Sequence, residues 1–120
     1  MKFIIRGFIL FVSLYASSAN SAWMTGNELL NRLNGSDREQ VEAIYFIAGV
    51  VDFAQGRNIT VGESLDKVQC INVPEGVTLG QLQLSVKKHL ENNPETLHIS
   101  AGILVWAAVL KAFGPGNNCI

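Results

Sequence analysis

The stretch "CINVPEGVTLGQLQLSVKKHLENNPETLH", Cys70 to His98, decides the fold, because it carries two helix starts and two turns. "VPEG" is turn chemistry: Pro74 presets its own backbone angle and Gly76 permits the reversal. Thr78 then stands three residues before Gln81, the spacing of a capping box. Leu79, Leu82, Val86 and Leu90 recur at helical spacing and are expected to form a buried stripe. The alternation Leu82, Leu84, Val86 would also suit a strand, but the cap and the stop at "NNP" favour a helix. Asn93 followed by Pro94 reads as the start of a further helix, since proline at the first position sacrifices no hydrogen bond. That helix is expected to run to about Phe113, where Gly114 and Pro115 end it. Its heaviest face would be Ile99, Ile103, Trp106, Leu110 and Phe113. Ala101, Gly102, Ala107 and Ala108 make a smoother side that allows close helix approach.

Upstream the same signals recur. "TGNELLNRL" reads as a short helix with Asn27 as candidate cap and Leu29, Leu30 and Leu33 on one side. "NGSD" breaks it, and Ser36 with Glu39 forms a second capping-box pattern. The run that follows is apolar nearly all round from Ala43 to Ala54, as in a helix buried on more than one side. One polar strip survives along it: Arg38, Glu42, Tyr45, Gly49 and Asp52. Gly56 is expected to end this helix. The reading is an all-α fold, a small bundle of about four helices, with Arg57 to Gly76 as a long irregular connection.

The first residues are of another kind. "MKFIIRGFILFVSLYASSANSA" places Lys2 and Arg6 ahead of an apolar run from Phe8 to Ala16, followed by small residues. This is the order of a secretory signal peptide, and the run is shorter than the ~20 residues a bilayer span requires. An uncleaved anchor is the alternative. Taking residues 1–22 as the signal peptide, residues 23–120 form one helical domain. No cysteine marks a lipoprotein junction. Of 9 Lys and Arg residues, Lys2 and Arg6 leave with the leader, so 7 face 10 Asp and Glu, a net charge of −3. Phosphate recognition depends on clustered Lys and Arg. A nucleic-acid partner is therefore not expected, and once the leader is cleaved neither is a membrane.

Cys70 and Cys119 are the only cysteines. In an exported chain two thiols most often form one disulfide. The loop closed would be about 50 residues, worth about 4 kcal/mol in the chain-entropy model. With the thiols oxidised, a Cys–His nucleophile built with His89 or His98 is disfavoured. Two cysteines and two histidines without a short ligand pair do not suggest zinc. His98 reads as a neutral group in a helix's first turn, and His89 as a solvated residue near a helix end. Asp52, the one acid in an apolar run, reads first as a solvated edge or structural ion pair and second as a binding contact. No nucleophile elbow and no phosphate-cradling loop occurs. No catalytic residue, cofactor or metal is expected.

"GNELLNRL", "YFIAGVVDFAQG", "CINVPEGVTLGQL" and "HLENNPETLH", with a late cysteine, together resemble the Rap/Tai family of immunity proteins. The most specific parts are C-x₃-PEGVT-x-GQL and L-x₃-PE-x-LH, and the likeness covers about Gly26 to Cys119. It departs in a longer segment between Gly56 and Cys70 and in the tail "GPGNNCI", both of which bear on partner specificity. The resemblance implies a periplasmic protein that inhibits a peptidoglycan-cleaving amidase effector of type VI secretion by plugging its cleft. It also implies an all-helical fold, an internal disulfide and a homodimer. Val50, Phe53, Leu84 and Val105 are the candidate dimer contacts. The segment Arg57 to Lys67 is the candidate inhibitory surface, offering Arg57, Asn58, Thr60, Glu63, Asp66 and Lys67. The turn Glu91 to Glu95 competes with it. The rival function is a small periplasmic chaperone of the acid-stress type, and a hydrolase ranks last.

Overall fold

The computed structural model describes residues 23–55 and 70–114. Its described elements are α1 (Gly26–Leu33), α2 (Asp37–Ala54), α3 (Leu79–Asn92), a 3₁₀ turn (Pro94–Thr96) and α4 (Ala101–Phe113). Among the described residues there is no strand, only the isolated bridges Thr25–Ser100 and Gln55–Ile71. The all-helical reading therefore holds.

Both capping boxes form. Glu39 N–H donates to Ser36 Oγ and Ser36 N–H to Glu39 Oε1, each at 3.3 Å. Gln81 N–H donates to Thr78 Oγ1 at 3.1 Å, and Thr78 N–H to Gln81 Oε1 at 2.8 Å. Each box satisfies two helix-start donors that otherwise lack partners. Gly76 takes φ +90°, the left-handed backbone of the "PEG" turn, which costs a residue without a Cβ little.

One core joins all four helices. It takes Leu29 and Leu33 from α1, and Ala43, Ile47, Val51 and Ala54 from α2. α3 contributes Leu82, Val86 and Leu90, and α4 contributes Ala101, Leu104, Val105, Ala108 and Val109. Ile71 and Cys70 are also buried, where the chain returns beside the end of α2. On the surface Glu42 joins Arg32 and Arg38, at 3.1 and 3.5 Å, linking α1 to α2. Such exposed pairs contribute little to stability.

The connection between α3 and α4 differs from the sequence reading. Asn93 does not cap a helix beginning at Pro94; its Nδ2 donates to the His89 carbonyl at 2.8 Å, closing α3. Pro94 opens only the 3₁₀ turn, and α4 starts at Ala101. His98 therefore lies exposed in the connection and not in a helix. The reason is a tertiary pairing. Gly26 N–H donates to Ile99 O at 3.0 Å and Asn27 N–H to Leu97 O at 2.9 Å. In return Ala101 N–H donates to Met24 O at 2.8 Å. The irregular connection thus satisfies the first donors of α1 and α4 together. A continuous helix from Pro94 would withdraw those carbonyls.

Smaller differences follow from packing. Thr25, not Asn27, caps α1, its Oγ1 accepting from Glu28 N–H at 3.3 Å. α2 ends at Ala54 with Gln55 as its C-cap, in keeping with a stop at Gly56, which itself lies outside the described residues. Leu79 is half exposed and leaves the α3 stripe to Leu82, Val86 and Leu90. In α4 the core takes Ala101, Leu104, Val105, Ala108 and Val109, and Ile103 stands 41 % exposed. With α2 and α3 both pressed against α4, the close approach suits Ala101, Ala108 and Val109 better than a broad ring.

Candidate functional site

At the edge of the core, exposed and partly buried side chains of α4 meet those of α2. Tyr45, Gly49, Val50 and Phe53 of α2 face Gly102, Ile103 and Trp106 of α4 across an open groove of about 560 Å³. Tyr45 is 72 % exposed and Phe53 64 %, while nothing lies within 4 Å of where a Cβ on Gly49 would stand. The groove so combines projecting aromatic rims with a bare backbone floor. Its charge-free lining suits contact with apolar surface, since unpaired charges are costly to desolvate.

The sequence marked these residues separately. Tyr45 and Gly49 stood in the polar strip of α2, Val50 and Phe53 among dimer contacts, and Ile103 and Trp106 on the heavy face of α4. What it did not show is that they share one surface. Two expected contacts lie elsewhere. Val105 is fully buried in the core and is not available to a partner. Leu84 is 68 % exposed, but on α3 and outside the groove. Asp52 is exposed, as a solvated edge requires.

A second, polar cleft of about 270 Å³ lies between α3 and α4. Ser85, Lys88, His89 and Asn92 line one side, and Ala108, Lys111 and Ala112 the other. His89 is not the solvated residue the sequence suggested. Burial holds its pKa below the usual histidine value, and the nearby Lys111 ammonium lowers it further. Its Nδ1 is buried without a hydrogen-bond partner. The linkage sign follows: the unfolded chain takes up the proton more readily, so neutral His89 stabilises the fold at and above neutral pH. Stability is expected to fall as pH drops below about 6.5 toward the lowered folded-state pKa. Urea midpoints at pH 7.5 and 5.5 should differ less for His89→Gln than for the wild type. Equal differences in both would exclude His89 as the source.

The candidate inhibitory residues Arg57, Asn58, Thr60, Glu63, Asp66 and Lys67 lie outside the described residues, as does Cys119. Cys70 is described and buried, 1 % exposed. Among the described residues no three metal-ligating side chains converge, and no helix is long and apolar enough to cross a membrane.

What the described geometry offers a partner is surface: a capped, closely packed helical body with one apolar groove and one basic cleft. The family model of the Rap1a immunity proteins matches residues 25–114. The chain belongs to that family. No curated protein matches it.

Proposed function

We propose that this protein is a periplasmic immunity protein that inhibits a peptidoglycan-cleaving amidase delivered by type VI secretion, so protecting the producing cell. Membership of the Rap1a immunity family carries the reading. Support comes from the leader-like residues 1–22 and from a preformed helical body, because a rigid binder loses less entropy on association. In this reading the protein blocks the amidase cleft and performs no chemistry. Cys70, buried beside the core, pairs with Cys119 in an intrachain staple, and residues 57–67 enter the cleft. Two copies associate through the apolar groove between α2 and α4.

The test is to co-purify the mature protein with the amidase encoded beside it and to measure peptidoglycan hydrolysis. The wild type should abolish hydrolysis near stoichiometric addition. Replacing residues 58–66 by a short Gly/Ser linker should relieve inhibition at least tenfold without lowering the thermal midpoint. Full inhibition by a stable loop variant would move the inhibitory surface to Glu91–Glu95. An amidase indifferent to the wild type would sink the functional reading. Intact mass without reductant checks the staple, which predicts both thiols blocked within one chain.

A further inference from the structure

The cations of the described surface are unequally provided for. Arg32 and Arg38 share Glu42, and Lys87 lies 3.9 Å from Glu91. Lys88 and Lys111 form no ion pair with a described residue, and both line the α3–α4 cleft. In a chain with more acids than bases, the two unpaired cations thus stand on one small recess. A place in the last turn of α4, near the negative end of its dipole, would account for Lys111 alone. It does not account for the convergence. His89 lines the same recess, and its pKa is lowered first by burial and then by the Lys111 ammonium.

We propose that this cleft is a contact site for a carboxylate side chain, Asp or Glu, of a protein partner. Lys88 and Lys111 supply the charge, and the Asn92 amide can donate beside them. Ser85 does not donate, because its hydroxyl hydrogen is committed to the Gln81 carbonyl at 2.9 Å. The methyl groups of Ala108 and Ala112 line the same recess and suit the methylene stem of an acidic side chain better than a bare inorganic anion. Charge-assisted hydrogen bonds of this kind are stronger than neutral ones, and two lysines steer an acidic surface toward them. The inference deepens the reading above, in that the partner is taken to be the effector.

The test uses Lys88→Gln/Lys111→Gln, which should fold normally because both lysines are exposed and free of ion pairs among the described residues. At low salt the double variant should bind the effector at least tenfold more weakly, with a shallower dependence on ionic strength. Affinity within twofold of wild type with unchanged salt dependence would overturn the proposal. A second arm needs no effector. Propionate, an analogue of the Glu side chain, should shift the His89 ring resonances saturably in the wild type and not in the double variant. If the wild type fails to bind the effector, the functional reading falls and this arm decides the cleft. A saturable, lysine-dependent shift upholds it. No shift, or the same shift in both proteins, removes it.

Discussion

Gly26→Ala is expected to destabilise the fold by about 2 kcal/mol, although alanine is the better helix former. A Cβ at Gly26 would collide with Leu104 Cδ1 and lie 3.1 Å from Leu97 O and 3.2 Å from Leu97 Cα. The leucine side chain can turn away, but the Leu97 backbone is held by its carbonyl's bond to Asn27 N–H at 2.9 Å. Overpacking of this kind costs about 1–3 kcal/mol. Displacing the connection would also weaken two backbone bonds, each worth roughly 0.5–1.5 kcal/mol. Against this stands the helix preference for alanine, about 1 kcal/mol at an interior position and less in a first turn. With a urea slope of about 1–3 kcal/mol/M, the midpoint should fall by roughly 1 M. Gly80→Ala is the control. Its nearest neighbour would be Thr78 Oγ1 at 3.7 Å, so it should be neutral or slightly stabilising. If Gly26→Ala matched the wild type, the α1–connection contact would not be the close one described.

The second large effect is on association. Phe53→Asp and Ile103→Asp should each weaken the proposed homodimer at least a hundredfold, about 2.7 kcal/mol. Either carboxylate would have to be desolvated without a partner in an apolar contact. Both positions face solvent in the single chain, at 64 % and 41 % exposure, so the fold itself should tolerate the change. Leu84→Asp is the informative comparison: about as exposed as Phe53, on α3, and outside the groove. Sedimentation at micromolar concentration should give a dimer for wild type and Leu84→Asp, and a monomer for the two groove variants. A monomeric wild type would refute the dimer. Dissociation by Leu84→Asp alone would place the contact on α3.

These expectations draw on different depths of information. Val50, Phe53, Ile103 and Trp106 were visible as apolar excess along α2 and α4, because helical periodicity shows when a helix carries more apolar perimeter than one core covers, whereas Tyr45 and Gly49 read as part of a polar strip. Their convergence was not visible, since it depends on which face α4 turns inward. The cleft was less legible still. Lys87 and Lys88 are neighbours in the sequence, yet Lys87 reaches Glu91 while Lys88 shares a recess with Lys111. That recess lies between two helices, and no local pattern reports it.

By itself the sequence determined the helix starts at Ser36 and Thr78, the turn at Gly76, and Leu82, Val86 and Leu90 as the core stripe of α3. Each rests on interactions spanning a few residues, and such interactions are the same in any fold that contains the segment. Only the tertiary structure decided where α4 begins and which of its faces is buried. Asn93–Pro94 is a sound local helix start, but the Ile99 and Leu97 carbonyls accept from the N–H groups of Gly26 and Asn27, respectively, instead. Donors some seventy residues away in the chain outweighed the local preference, because buried helix-start N–H groups must find acceptors. In the same way, the spacing between α4 and its neighbours admitted Ala101, Ala108 and Val109, and left Ile103 and Trp106 to line the groove.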